Sequence, residues 1–329
     1  MEGLMAIVTV LASAFYFGAP LLFGTTGEIL TEKSGSLNLG VEGTMAIGAI
    51  GGFIAGASAN NLFVGMLVAF LCSSLCGLIF SFLTVTLKAN QNVTGLAMTI
   101  FGVGLCQLVG QTLKTKGKFP AMSAALTQSI ANNGIPGLKN IPVIGELLFQ
   151  YNIFVYVAII IAIIAWIFMF KTKAGLRMRA VGENPASADS VGINVDRTRY
   201  VNNIIGSGIM GLGGLYMAMV INIGTWNDNW IGGYGWIAVA LVIFASWSPA
   251  RAIGGSFLFG LLIALQSRVS ILANAFPTAL GWLNKIPVEF YKMLPFVITA
   301  LVIILNSIGK KKEGIQPTAC GINYYREER

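Results

Sequence analysis

The sequence predicts an all-α polytopic membrane protein with about nine transmembrane helices, within a range of eight to ten. Three observations carry that expectation. Of 329 residues, 55% are hydrophobic and only 10% charged, under half the roughly 25% of a soluble domain. Uncharged runs recur at 3–27, 43–87, 89–113, 147–170, 200–227, 229–250 and 293–309. About 20 apolar residues cross the hydrocarbon as a helix, so 43–87 holds two crossings and most of the others one. None of these runs shows the alternation over roughly ten residues that a membrane strand would.

The elements follow in chain order. A first helix covers about 4–23; it has no basic start and no small-residue cleavage site, so it reads as a retained span rather than a secretory signal. A semi-polar, glycine-rich stretch, GEILTEKSGSLNLGVEG, occupies 27–43, and its Glu28 and Glu32 read as groups at a cytoplasmic or interfacial helix end. Helices at about 44–57 and 62–87 meet at Asn60 and Asn61, and another covers 93–113. A connection at 114–150 contains Pro120, Pro136 and Pro142, and 151–170 crosses back. The polar loop 171–199 comes next, then helices at about 200–222, 234–249, 253–271 and 291–308. The whole is one membrane domain, 1–329: an N-terminal half at 1–170, the loop, a C-terminal half at 200–308 and a tail at 309–329.

Charge orients this map. The 171–199 loop carries Lys171, Lys173, Arg177, Arg179, Arg197 and Arg199, and the tail adds Lys310, Lys311, Lys312, Arg326 and Arg329. Together they hold 11 of the 21 basic residues, so loop and tail are expected in the cytoplasm. Lys114, Lys116, Lys118 and Lys139 fall on the opposite side and run against that assignment. Counting back gives five crossings before the loop and an external N-terminus; if 24–43 also enters the membrane, the count is ten with the N-terminus inside. The net charge of +8 follows topology and is not a nucleic-acid footprint.

The residue inventory excludes much chemistry. With no histidine, imidazole bases, histidine metal sites and histidine proton relays are absent. Cys72 and Cys76 lie one turn apart in an apolar run, where cysteine acts as a small hydrophobe, and no metal-binding set is expected. No G-x-x-x-x-G-K-[ST], GxSxG or HExxH pattern occurs. Any driven transport must draw energy from a partner or an ion gradient. Glycines cluster within the spans, at Gly48, Gly52 and Gly56 and again at 206–214, as close helix packing in lipid requires. The stretches NLGVEGTMAIGAIGG (38–52) and NWIGGYGWIAVALVI (229–243) resemble each other, both placing an Asn-led, glycine-spaced patch before a small-residue helix. Trp226, Asn227, Asp228 and Trp230 read as an interfacial aromatic belt.

Within the loop, residues 172–180 favour a helix with Gly182 as a left-handed stop. A second helix at 185–191 has Asn184 as N-cap, Pro185 at its first position and Gly192 just past its end. Asp189 and Ser190 would face water or a partner, and Ala186 and Val191 would pack. Such a short, doubly capped helix can transmit force.

Four motifs in order resemble one family: KAGLRMRAVGENPASADSVGINV (173–195), EKSGSLNLGVEGTM (32–45), NQNVTGLAMTIFGVGL (90–105) and GYGWIAVALVIFASWSP (233–249). They are similar to permease subunits of bacterial ABC importers of the simple-sugar, nucleoside and branched-chain amino-acid type. The short chain and its end, PTACGINYYREER, resemble the smaller permease of a nucleoside importer. The resemblance implies a non-catalytic membrane subunit in the bacterial plasma membrane with a cytoplasmic C-terminus. It also implies a separate ABC ATPase that uses ATP and Mg, a second, non-identical permease and an extracytoplasmic substrate-binding lipoprotein, with no cofactor on this chain. It assigns ATPase coupling to Arg179, Gly182, Glu183, Asn184, Pro185, Asp189 and Gly192. Asn38, Glu42, Asn90, Gln91, Asn92 and Thr94 are the substrate-path candidates, because polar groups in spans are costly unless used. A simple-sugar permease is the nearest alternative, and a secondary transporter would instead move substrate alone and ignore ATP.

Overall fold

A computed structural model describes residues 2–131, 134, 145, 149–308 and 316–326. Among them every regular element is helical. Lys139, Pro136, Pro142, Lys310, Lys311, Lys312 and Arg329 lie outside the described residues.

Helix α1 (Glu2–Lys33) is followed by α2 (Val41–Ala59) and α3 (Leu62–Ser81), which continues as a π-helical turn, Phe82–Thr86. Next come α4 (Gln91–Thr115), a short α5 (Ala124–Ile130) and α6 (Ile153–Lys171). The polar loop forms α7 (Lys173–Glu183) and α8 (Pro185–Ser190). The C-terminal half comprises α9 (Val195–Tyr216, with a π turn to Ile221), α10 (Tyr234–Phe244), α11 (Pro249–Ala275), α12 (Pro277–Leu280) and α13 (Val288–Ile308).

Seven of these helices are long and apolar enough to cross a membrane. The count of about nine is not reached, and 234–249 accounts for part of the shortfall. Its helix, α10, has only 11 residues, roughly 16 Å at 1.5 Å per residue, about half the hydrocarbon thickness. It ends where Ser246 and Trp247 take left-handed backbone conformations, φ 49° and 53°.

The first helix departs from expectation too. It does not stop near residue 23 but runs to Lys33, carrying Glu28 and Glu32 into the interior, where both are buried. They are not groups at an open helix end. A polar helix face is tolerated inside the bundle when distant partners satisfy it. The Asn38 amide donates to Glu28 at 3.1 Å, the Trp247 indole to Glu32, and the Thr25 hydroxyl to the Ala238 carbonyl at 3.2 Å.

Helices α1, α2 and α9 form the centre, and α3, α4, α6 and α11 surround them. The outer helices show apolar stripes at helical spacing, such as Leu67, Leu71, Leu75 and Leu78 on α3 and Ile160, Ile163, Ile164 and Ile167 on α6. These faces suit lipid. The centre is close-packed through glycine: a Cβ on Gly48 or Gly211 would run into the facing helix backbone or Ser73, and one on Gly214 into the Met45 carbonyl. Gly214→Val is therefore expected to destabilise the bundle by at least the 1–3 kcal/mol or so of core overpacking. A drop in melting temperature of the solubilised chain would measure it, and an unchanged value would exclude the tight crossing.

Candidate functional site

The loop helices sit at one end of the bundle, beside the ends of α1 and α9. The Asn184 side chain accepts from the Ser187 amide at 3.0 Å, Pro185 occupies the first position of α8, and Gly192 ends the turn at φ 83°. Those three expected roles match the geometry. Gly182 does not act as a left-handed stop: it lies within α7, where a Cβ would strike the Lys33 carbonyl. Its smallness lets α7 rest on the end of α1. The packing residue of α8 is Ala188, which is buried, whereas Val191 is 75% exposed. Arg179 lies over the Phe170 ring at 5.0 Å.

Residues 316–326 complete this end, a contribution the sequence motifs alone did not reveal. The Ala319 amide donates to the Gly182 carbonyl at 3.0 Å, and Thr318 donates to Glu183 through its amide and hydroxyl at 3.3 and 3.2 Å. Tyr324 donates to Asp189 at 2.8 Å, and Arg326 pairs with the same carboxylate at 3.3 Å. Asp189 thus faces the tail rather than open water. Further along, Asn323 donates to the carbonyls of Lys88 and Ala89 at 2.6 and 3.2 Å and accepts from Gln91 at 3.1 Å. Arg199, only 2% exposed, donates to the Ile322 carbonyl at 3.1 Å. Burial pushes the Cys320 thiol up, so it is no reactive thiolate. The tail is a strap from the short lever α8 to the ends of α4 and α9. Beside it, Lys88, Asn194, Asp196, Tyr324 and Tyr325 line a groove of about 480 Å³, with Val191 and Tyr325 exposed.

Several path candidates lie at the same end of the bundle, where Gln91 meets the tail through Asn323, and most are engaged in holding backbone. Asn38 accepts from the Gly40 amide at 2.9 Å. Asn90 caps α4 through the Val93 amide at 3.1 Å, and Thr94 donates back to the Asn90 carbonyl at 2.8 Å. Gln91 accepts from the Leu37 amide at 2.7 Å. Asn92 is exposed. Each bond ties a loop rather than presenting a free donor inward.

Glu42 differs. Its two oxygens accept from the Gly233 and Gly235 amides at 2.8 and 2.7 Å, so a carboxylate on α2 seats the N-terminus of the half-length α10. Unpaired amides and the positive helix end both favour a carboxylate there. This contact lies well inside the bundle, since α2 near it packs Met45 against Gly214 on α9. The two similar stretches at 38–52 and 229–243 thus meet at this joint. The aromatics before α10 do not form an outward belt: Trp230 is buried, Phe53 and Phe119 stack, and Trp226 and Trp230 pack against them edge-on or tilted.

Among the described residues no cluster of three or more metal-ligating side chains occurs. A bundle of membrane-length helices, with a short capped helix in a basic loop at one end and a helix starting inside it, fits a membrane transport subunit. The family described as the branched-chain amino acid transport system permease component matches residues 10–303, and the chain belongs to that family. It is similar to a nucleoside ABC transporter permease, NupC, of Lactococcus lactis, 33% identical with 97% of each chain covered. A guanosine ABC transporter permease, NupQ, of Bacillus subtilis is 30% identical with both chains fully covered. A putative glucose ABC transporter permease, TsgC13, of Haloferax volcanii is 37% identical over 78% of this chain and 76% of its own. No solved structure matches.

Proposed function

We propose that this chain is the transmembrane permease of an ABC importer that carries nucleosides across the bacterial plasma membrane. The observation that carries the reading is the end-to-end similarity to two nucleoside-type permeases, which includes the tail that straps the lever. In this reading the chain crosses about nine times, counting the half-length α10 with its extended flank and α13. The lever and tail face the cytoplasm, where the basic residues concentrate.

ATP and Mg bind a separate ATPase, for which α8 is the coupling helix. Arg179, Gly182, Glu183, Asn184, Pro185, Asp189 and Gly192 shape or hold that lever. A second, non-identical permease pairs with this one, and an extracytoplasmic binding lipoprotein delivers substrate. ATP binding moves the lever, the strap carries the motion to α4 and α9, and the two permeases alternate their access. Removing residues 183–192 is expected to reduce ATP-driven uptake in vesicles containing the complex to background. Uptake that survives the deletion would sink the coupling role.

A sugar importer is the second reading, favoured by the 37% identity to the glucose-type permease. Competition uptake with labelled nucleosides and sugars, in cells lacking and then regaining this subunit, separates the two.

A further inference from the structure

A half-open cavity of about 390 Å³ lies between α1, α10, α11 and α13, within the size range of small-molecule sites. Three aromatic rings from three helices line it: Phe17 on α1, Tyr234 on α10 and Phe296 on α13. Three polar side chains converge on it as well: Gln266 and Ser267 on α11 and Lys292 on α13. An apolar wall with a few convergent polar groups is how small-molecule sites are built.

The polar groups are the informative part. Gln266 lies within a mainly apolar helix, where an unpaired amide costs free energy unless it serves a purpose, and Lys292 lies near the start of α13. Among the described residues neither Gln266 nor Lys292 makes a hydrogen bond or ion pair, in contrast to Asn38, Asn90 and Gln91. Ser267 donates to the Ala264 carbonyl at 3.2 Å. An amide and an ammonium thus remain available to a ligand.

The floor narrows the ligand class. It is formed at Gly232 and Gly233, where α10 begins and where a helix end could have cradled an anion. Here Glu42 already takes the Gly233 and Gly235 amides, and its carboxylate would repel a phosphate or carboxylate placed above it. With the Lys292 ammonium on its wall and the Glu42 carboxylate behind the Gly233 amide, the two charges offset each other, and the cavity suits a neutral molecule with a flat face for the rings and polar edges for Gln266, Ser267 and Lys292. Position agrees with a path: α1 and α11 run antiparallel, with Gly260 against Ala14 and Gly18. Gln266 lies about 9 Å further from the loop helices at 1.5 Å per residue.

We propose that this cavity is the substrate vestibule of the permease and that it takes a neutral nucleoside, with the base stacked on Phe296 or Tyr234 and its polar edge or sugar hydroxyls held by Gln266 and Lys292. The substrate class rests on the nucleoside reading above; the cavity does not. A ligand seated here touches Gly233, whose amide Glu42 holds to α2, so occupancy is felt at the joint between the two halves.

Uptake of uridine, adenosine and ribose by the full complex in proteoliposomes tests this, using Phe296→Ala, Gln266→Leu and Lys292→Met. Ile304→Ala, on an exposed part of α13, serves as the control, and assembly of each complex is checked by gel filtration. The expected result is a rise in the nucleoside KM of about tenfold for Phe296→Ala and Gln266→Leu, the scale of one lost buried contact, with Phe296→Tyr restoring the original value and Ile304→Ala without effect. If all three cavity variants assemble and carry every probe with unchanged KM, the vestibule is overturned. If the wild type carries ribose and no nucleoside, and the variants raise the ribose KM, the substrate class falls while the vestibule stands.

Discussion

Glu42→Leu is expected to abolish uptake and to destabilise the folded chain by about 2–6 kcal/mol. The figure follows from what is left behind: two backbone amides, Gly233 and Gly235, that now bond the carboxylate at 2.8 and 2.7 Å. A buried donor stripped of its partner costs about 1–3 kcal/mol, and leucine satisfies neither. The site is closed enough for that cost to apply, as Glu42 is only 7% exposed. Loss of the negative charge facing the α10 N-terminus adds a smaller helix-dipole term. Glu42→Gln keeps one acceptor oxygen and should fall between wild type and Glu42→Leu in both melting temperature and uptake. Detergent-solubilised complexes of the three forms, melted side by side, give the stability order, and proteoliposome uptake gives the transport order. A leucine variant that melts and transports like wild type would show that the α10 end is held by something else.

Much of the helical plan is legible in the sequence because lipid-facing segments must satisfy their own backbone. The expected spans at 62–87, 93–113 and 151–170 fall within a few residues of the helices that form. The caps of α8 were equally readable, since Asn184, Pro185 and Gly192 act through neighbours at most three residues away. What could not be read depends on distant partners. The polar last ten residues of α1 look like a loop until Trp247, 215 positions on, donates to Glu32. The apolar run at 234–249 looks like a full span because neither left-handed position, Ser246 nor Trp247, is a glycine. Asn38, Asn90, Gln91 and Thr94 drew attention as polar residues near membrane helices, yet their bonds serve the chain itself. Gln266, followed by Ser267 and Arg268, and Lys292, close to Glu289, belong to no motif. Only the fold brings them to one cavity.

Ending the chain at Gln316 is expected to lower uptake tenfold or more while leaving membrane insertion intact, because the strap touches the spanning helices only at their ends, through Gln91 and Arg199. The truncation uncovers Gly182 and Glu183 at the end of α7, the carbonyls of Lys88 and Ala89, and the Gln91 amide group. It also removes the Ile322 carbonyl from Arg199, whose remaining guanidinium nitrogens Nε and Nη2 have no partner among the described residues even with the tail in place. A buried cation that loses its last hydrogen bond is costly, so Arg199 must rearrange and the start of α9 with it. Point variants should grade the effect. Asn323→Leu strips three bonds from the α4 end and should approach the truncation. Tyr324→Phe removes a single bond to Asp189, worth about 0.5–1.5 kcal/mol, and Arg326 still pairs with that carboxylate, so it should cost little. The ratio of ATP hydrolysed to substrate imported distinguishes a mechanical strap from a mere folding aid. With a strap, hydrolysis continues in the Asn323→Leu complex while import falls, and the ratio climbs. With a folding aid, both rates fall together and the ratio stays level, which would remove the tail from the coupling path.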